Sequence, residues 1–164
     1  MGVVLIERGS EVGGGDTRVS TGTVAHLIES ERLPDGRWVA IIAGSHRFTV
    51  ERWLPDDPYP QAMVTEHADQ PWDPACQPLL EEAEQVVRHA LHLASELGET
   101  AGPPGFKLAA DPAVAAWELC GRAPLGALDR QRLLEEPEWT VRLERLRDEV
   151  EEAVKVLAFR LHGR

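Results

Sequence analysis

The side chains that could carry nucleophilic catalysis are few and dispersed along the chain. Ser45 and His46 are adjacent in a predicted turn, so we expect their side chains to point in different directions. Cys76 lies in a proline-rich segment, Cys120 lies near a predicted helix end, and no GxSxG nucleophile elbow is present. Acyl transfer needs a nucleophile, a histidine and an acid that converge. The sequence therefore predicts that the chain is not an enzyme.

The histidines suggest two alternatives, a metal site and an enzyme. His89 and His92 are three residues apart on a predicted helix, and Glu96 follows one turn later, as a metal site would require. No HExxH pattern and no third ligand accompany them, so we interpret them as residues of a polar helix face and predict no metal. A hydrolytic or small-molecule enzyme built around His46, His67 or His89 is the competing hypothesis.

A run of glycines, Gly13-Gly14-Gly15, could in principle cradle a phosphate. A phosphate-binding loop of the GxxxxGK[ST] type needs a lysine after the glycines, and GxGxxG must open a helix. The chain has two lysines, Lys107 and Lys155, and neither follows a glycine. The run is therefore interpreted as a loop between strands, and no nucleotide or other cofactor is predicted.

The composition limits the partners and the compartment. The chain of 164 residues has 17 Lys plus Arg against 28 Asp plus Glu, a net charge of −11. Such a surface repels phosphate backbones and anionic lipids, so we predict no nucleic acid and no membrane partner. Two isolated cysteines without CxxC are typical of buried thiols in a reducing compartment. With no signal-peptide pattern and no apolar run of spanning length, the predicted location is the cytoplasm.

A β-hairpin is the strongest local signal. Pro34-Asp35-Gly36 has turn chemistry, since proline presets φ and glycine accepts a positive φ. Trp38–Ala43 is apolar without a break, which predicts a strand covered on both faces. Gly44-Ser45 then reads as a two-residue turn, and Arg47–Glu51 alternates polar and apolar residues as an edge strand does.

Further strands and then helices complete the predicted domain organisation. Strands are predicted at Met1–Ile6, Val19–Glu29 and Gln61–Glu66, which gives about five strands in residues 1–70. Prolines mark a linker at 71–78, and the apolar period changes from 2 to 3.6 in 79–164. Helices are predicted at Leu79–Leu97, Ala113–Leu119 with Asp111 as N-cap, Asp129–Glu135 and Glu138–Leu161.

The last predicted helix has two faces of different character. Its apolar positions, from Trp139 to Leu161, form one continuous stripe for packing on another helix. Its other face carries Glu138 and Arg142 at i, i+4, which predicts a solvated ion pair. The predicted fold class is α+β, an antiparallel sheet followed by a helical bundle.

Aromatic and apolar residues border the proline-rich loops. They are Trp53, Leu54, Tyr59 and Trp72. One interpretation is an apolar groove for an unfolded or extended polypeptide. The other interpretation is that these rings pack the sheet against the helical bundle.

The chain resembles the N-terminal substrate-binding domain of the ATP-dependent protease Lon, in its stand-alone bacterial form. The most specific part is Pro34-Asp35-Gly36-Arg37 followed by Gly44-x-x-Arg47-Phe48, so Gly36, Gly44, Arg47 and Phe48 are interpreted as structural motif residues. Other matching stretches are Gly2-Val3-Val4-Leu5-Ile6, Gly22-Thr23-Val24-Ala25, Pro60-Gln61-Ala62-x-Val64, and Pro124–Leu134 with Arg142-Leu143. The resemblance implies a PUA-like β pseudo-barrel with a C-terminal helical bundle.

Two departures from the family pattern shape the expectations. The family's opening strands are missing before Met1, so we expect a pseudo-barrel truncated at the N-terminus and an exposed sheet edge that permits self-association. The family's protease also has an ATPase module and a Ser-Lys dyad, and this chain has no P-loop and two lysines. The resemblance therefore implies recognition of polypeptides without hydrolysis.

These observations lead to one functional prediction and one alternative. We predict a non-catalytic Lon-like module that binds exposed apolar polypeptide segments and is linked to ATP-dependent proteolysis or protein quality control. A separate ATP-dependent protease is the implied partner. The alternative is an interaction or oligomerisation module without a proteolytic link, acting through the 138–161 helix or the open sheet edge.

Overall fold

The chain forms two compact units in a computed structural model that describes residues 1–9, 16–99 and 105–163. The first unit is Met1–Asp69 and the second is Gln70–Arg164. The glycine run Gly13-Gly14-Gly15 and most of the predicted loop after Glu99 lie outside the described residues.

The first unit is an antiparallel sheet. Its strands are β1 (Gly2–Arg8), β2 (Thr17–Arg32), β3 (Trp38–Leu54) and β4 (Gln61–His67), in the spatial order β1-β2-β3-β4. The described part of the chain thus has four strands where the sequence predicted about five. The difference arises because the two segments predicted on either side of Gly44 belong to one long strand, β3.

The predicted turn at Gly44-Ser45 is wrong, whereas the turn at Pro34-Asp35-Gly36 is confirmed. Gly44 pairs with Ala25 of β2, and Ser45 is the extra residue of a β-bulge, since the next pair is Val24 with His46. At the confirmed turn, Gly36 has a φ of 88° and donates its N–H to the Leu33 carbonyl at 2.9 Å. Proline and a left-handed glycine specify that turn more strongly than Gly-Ser does.

Close packing at Phe48 positions β1, β2 and β3. Phe48 is buried and lies opposite Gly22 in the β2–β3 register. A Cβ on Gly22 would lie 2.5 Å from Phe48 Cζ and 2.5 Å from the Val3 carbonyl oxygen. Only glycine fits there, because the ring occupies the space that a side chain would need.

The second unit is helical. A 3₁₀ turn at Pro74–Cys76 leads into α1 (Gln77–Glu96), followed by α2 (Pro112–Arg122), α3 (Ala127–Glu135) and α4 (Trp139–His162). The predicted N-cap is confirmed, since Asp111 Oδ1 accepts the N–H groups of Ala113 at 2.9 Å and Val114 at 3.1 Å. The predicted α+β class, an antiparallel sheet followed by a helical bundle, is confirmed.

The core of the second unit follows the predicted stripe of α4. Trp139, Leu143, Leu146 and Val150 are all buried and belong to one apolar cluster with α1 and α2. The predicted ion pair of Glu138 with Arg142 is wrong. Arg142 is fully buried, because its side chain lies on the inner face of α4 rather than on the solvated one.

Candidate functional site

A two-stranded ribbon extends beyond the sheet and carries the largest apolar exposure of the first unit. We call it the ribbon arm: residues 25–32 of β2, the turn 33–37, and residues 38–45 of β3. Six of its large apolar side chains are between 45% and 67% exposed: Leu27, Ile28, Trp38, Val39, Ile41 and Ile42. The prediction that Trp38–Ala43 is covered on both faces is therefore wrong, and sequence analysis missed this surface.

Within the ribbon arm, the β3 strand carries uncharged side chains and the β2 strand carries charged ones. On β3, Trp38, Val39, Ala40, Ile41, Ile42 and Ala43 form an uncharged column. On β2, Glu31 lies opposite Val39 and Glu29 lies opposite Ile41. Since residues directly opposite in an antiparallel pair share a face, one face of the arm places apolar side chains beside carboxylates. The arm can therefore contact ligands that combine apolar and positively charged groups.

A polar network holds the tip of the ribbon arm. Asp35 accepts the Arg37 backbone N–H at 3.0 Å and Arg37 Nε at 2.7 Å. These hydrogen bonds, the backbone one first, lower the pKa of the Asp35 carboxyl below its usual value. The turn thus fixes the pairing register of β2 and β3 through to the exposed end.

Ser45, His46 and Glu66 lie side by side at the base of the ribbon arm. Ser45 Oγ lies 3.1 Å from the Val24 carbonyl oxygen and 3.0 Å from His46 Nδ1. His46 Nε2 lies 3.0 Å from Glu66 Oε2. The expectation that Ser45 and His46 point in different directions is wrong, because the β-bulge at Ser45 brings the two side chains together.

The direction of these hydrogen bonds does not suit nucleophile activation. The Ser45 hydroxyl can donate one hydrogen bond, and the Val24 carbonyl is placed to accept it, which leaves the Ser45 oxygen as an acceptor toward His46 Nδ1. A general base must instead present an acceptor nitrogen to the serine hydroxyl. The arrangement joins β2, β3 and β4 where the arm leaves the sheet, which is a structural role.

The motif residues Arg47 and Phe48 are likewise structural. Arg47 is buried, and its Nη2 lies 2.8 Å from Asp69 Oδ1 at the end of the unit. A buried guanidinium paired in this way is costly to disrupt. Phe48 fills the space beside Gly22, as described above. The motif that carries the family resemblance therefore builds the sheet from which the ribbon arm projects.

The four aromatic and apolar residues predicted to bind polypeptide are divided between the units. Trp53 is partly exposed, with the Arg18 guanidinium 4.7 Å from its ring centroid. Leu54 is half-buried and Tyr59 is exposed. Trp72 belongs to the second unit and packs on Trp139, with ring centroids 5.5 Å apart. That the four form one polypeptide-binding surface stays a prediction.

The cysteines and histidines of the second unit form no centre in the described residues. Cys76 and Cys120 are free and buried, as predicted. Burial raises the pKa of the Cys120 thiol to about 12, so it is not a thiolate nucleophile or ligand. His92 Nε2 lies 3.3 Å from Glu96 Oε1 on the helix surface. No group of three metal-ligating side chains occurs within residues 1–9, 16–99 and 105–163.

A shallow groove of about 640 Å³ runs along the outer side of α4. Carboxylates dominate its lining: Glu144, Asp148, Glu149, Glu151 and Glu152, beside Arg145. Such a lining repels phosphates and gives an anion no binding site.

Over the residues that the structure covers, no helix combines the length and the apolar character needed to cross a membrane.

Comparison with known proteins identifies a family and a fold. The profile of the ATP-dependent protease La (LON) substrate-binding domain matches residues 1–152, which confirms the resemblance described above. The N-terminal domain of Mycobacterium avium complex Lon protease is similar in structure, with a TM-score of 0.63 and 20% identity over 92% of this chain and 77% of that chain.

A second solved structure gives the same result. The Lon N-terminal domain protein from Xanthomonas campestris has a TM-score of 0.53 and 21% identity, covering 89% of this chain and 74% of that chain. At such identities the likeness shows a shared fold. No curated protein matches the chain.

Proposed function

Since the chain belongs to the substrate-binding domain family of the ATP-dependent protease La (LON), we propose that it is a recognition module for exposed apolar segments of polypeptides. Its proposed place is upstream of ATP-dependent proteolysis or protein quality control in the cytoplasm. Unfolded polypeptides are the ligand class, because apolar segments are buried in folded proteins and become accessible when the fold is lost.

The ribbon arm is the observation that carries this proposal. Monomeric soluble proteins rarely leave a contiguous group of large apolar side chains exposed unless it binds something. Each square ångström of apolar surface that a ligand covers contributes on the order of 25 cal/mol before the costs of association are subtracted. The six exposed apolar residues of the arm therefore offer a binding surface without any catalytic group.

The residues predicted from the sequence contribute unequally to the proposed surface. Trp53 and Tyr59 are accessible and are retained as contact residues of the first unit. Leu54 is half-buried and supports them. Trp72 already packs on Trp139, so we assign it the smallest share.

The proposed module does not itself cut the polypeptide. The 164 residues contain no P-loop, and their two lysines are Lys107 and Lys155, so we propose binding without hydrolysis. We propose that a separate ATP-dependent protease receives the bound polypeptide, and that neither a cofactor nor nucleic acid takes part.

Titration with a permanently unfolded protein tests this function. Isothermal titration calorimetry with a carboxymethylated, disulfide-free protein is expected to show saturable binding to the chain. Replacing Ile41 with Ser is expected to weaken it several-fold, and Trp53→Ala to weaken it less, while Val141→Ser on exposed α4 serves as the control. Absence of heat and of any spectroscopic change with every unfolded protein tried contradicts the proposal.

The alternative function is an interaction module without a proteolytic link. Its specific support is a second exposed apolar group near the end of α4, where Val156 is 57% and Phe159 is 80% exposed. Self-association through this face predicts a concentration-dependent mass in light scattering that Phe159→Ser abolishes. A monomer at every concentration excludes self-association.

A further inference from the structure

The outer edge of β3 is open along the ribbon arm. β4 pairs with β3 from Arg47 to Leu54, and its last residue, His67, lies opposite Arg47. From Trp38 to Ser45, no described strand lies on the side of β3 that faces away from β2. The backbone groups on such an edge are ready to pair with another extended chain.

This edge lacks the devices that usually protect sheet edges. Charged residues, proline and bulges discourage edge-to-edge pairing. The other strand of the arm has such protection, since β2 carries Glu29, Glu31 and Arg32 and bulges at Ile28. Between Trp38 and Gly44, β3 has no charge, no proline and no bulge, and it is rich in β-branched and aromatic residues.

We propose that an extended apolar segment of the client polypeptide adds to this edge as a further strand, paired with β3 between Trp38 and Gly44. This inference rests on the proposed function and specifies its binding mode. Main-chain hydrogen bonds supply affinity that does not depend on the client's sequence, and the side chains of the uncharged column contact alternate client residues. A module that must accept many unfolded sequences requires that kind of tolerance.

Charge favours a client over a second copy of the chain and defines the preferred client. Two copies each carry a net charge of −11, so their approach is opposed electrostatically. Beside the apolar column, Glu29 and Glu31 lie opposite Ile41 and Val39, two carboxylates against the one guanidinium of Arg32 opposite Trp38. A client segment with Lys or Arg next to its apolar core is attracted by both features, whereas acidic flanks are repelled.

Backbone methylation separates edge pairing from other modes of binding. The probe is a synthetic peptide with a core of alternating valine and threonine between paired lysines, and its twin is methylated on every core amide nitrogen. The full chain is expected to bind the first peptide at least about tenfold more tightly than the twin. A third peptide with paired glutamates in place of the lysines is expected to bind more weakly, with a difference that shrinks as salt is added.

The results distinguish this inference from the proposed function. Equal affinity for the plain and the methylated peptides overturns edge pairing while the recognition of apolar segments stands. Failure to bind both these peptides and permanently unfolded proteins overturns the proposed function as well. A dimer of the chain that dissociates when peptide is added shows a second copy on the edge and overturns the choice of client.

A matched pair of variants locates the added strand. Ile42 and Leu27 lie opposite each other in the register, and both are exposed. An added strand lies about 4.8 Å from β3 and about twice as far from β2. Ile42→Gln is therefore expected to weaken peptide binding several-fold and Leu27→Gln to leave it nearly unchanged, with circular dichroism as the check on folding. Equal losses in the two variants indicate binding across the face and overturn the edge assignment.

Discussion

Arg142 organises the interior of the second unit through its planar, permanently charged head group. The guanidinium carbon lies 4.0 Å from the ring centroid of Trp117 and 4.4 Å from that of Trp139. Its Nε donates to the Leu133 carbonyl at 3.1 Å, and its Nη2 donates to the Glu136 carbonyl. Arg142 therefore satisfies carbonyls at the end of α3 while cation–π contacts offset part of its desolvation.

We expect Arg142→Ala to lower the free energy of unfolding by about 3 kcal/mol, because it leaves a cavity between two tryptophans and removes the donors of buried carbonyls. Urea unfolding followed by circular dichroism measures the change. Arg145→Ala is the control: its partly exposed guanidinium lies 3.7 Å from Glu136 Oε2, a contact that contributes less than about 1 kcal/mol. A loss of similar size in both variants contradicts the interior role of Arg142.

Cys120 makes the stability of the chain depend on alkaline pH. Burial raises the pKa of its thiol from 9.0 to about 12, although the positive charge of Arg142 acts in the opposite direction. Above pH 9.0 the unfolded chain releases this proton while the folded chain retains it until about pH 12. The unfolded state then binds fewer protons than the folded state, so stability falls as the pH rises.

The expected slope is about 1.4 kcal/mol per pH unit once the unfolded thiol is ionised. Urea titrations of the parent chain and of Cys120→Ala at a series of pH values above 9.0 measure it. The difference in stability between the two proteins is expected to shift toward the variant as the pH rises. A difference that stays constant with pH shows that the thiol ionises equally in both states.

At the scale of secondary structure, the sequence predicted the helices better than the ribbon arm. The 3.6-residue period of α1 and α4 reports burial of one face directly, and the Asp111 cap and Gly98 mark where α2 begins and α1 ends. The apolar run Trp38–Ala43 was misinterpreted, because an unbroken run indicates a strand but does not say whether anything covers it. Gly44 pairs with Ala25 in the β2–β3 ladder, so it continues the strand and does not form the predicted turn.

The candidate site was only partly predictable for the same reason. Trp53, Leu54, Tyr59 and Trp72 were predicted to bind polypeptide because aromatic and apolar residues border the proline-rich loops, and that assignment stays a prediction. The ribbon arm was missed because its exposure depends on where β4 stops pairing with β3, at Arg47, and the apolar pattern of β3 does not mark that point. The sequence did contain one indication of this surface: residues 38–45 carry no charge, whereas the neighbouring strand β2 carries Glu29, Glu31 and Arg32.

The exposure of the ribbon arm has a direct spectroscopic consequence. Of the five tryptophans, Trp38 is 67% exposed, whereas Trp139 is 3% exposed within the helical core. Trp38→Phe is expected to remove the component of fluorescence most accessible to acrylamide, and Trp72→Phe to change quenching much less. Unchanged quenching in Trp38→Phe, with normal circular dichroism, shows that the arm is covered in solution.

At the scale of the whole molecule, burial is distributed unequally between the two units. Among the described residues, the apolar cluster of the second unit contains twenty buried residues from the four helices, two helix C-caps and the preceding 3₁₀ turn. In the described part of the first unit, only Gly22, Ala25, Arg47 and Phe48 are buried. With so few buried side chains, the sheet gains little hydrophobic stabilisation to offset the exposed apolar surface of the ribbon arm. We therefore expect a bound polypeptide to raise the stability of the first unit.

This imbalance predicts different behaviour of the two units as separate chains. Residues 70–164 are expected to keep their helical circular dichroism and to unfold cooperatively, because their apolar core is complete within the fragment. Residues 1–69 are expected to show a broad, weak transition, since four strands with so small a buried set cannot offset the entropy of ordering the chain. Thermal scans of both fragments and of the full chain, at matched concentration, measure these transitions. A sharp transition of 1–69 at the midpoint of the full chain contradicts the prediction, because it requires a core in the sheet that the burial pattern does not contain.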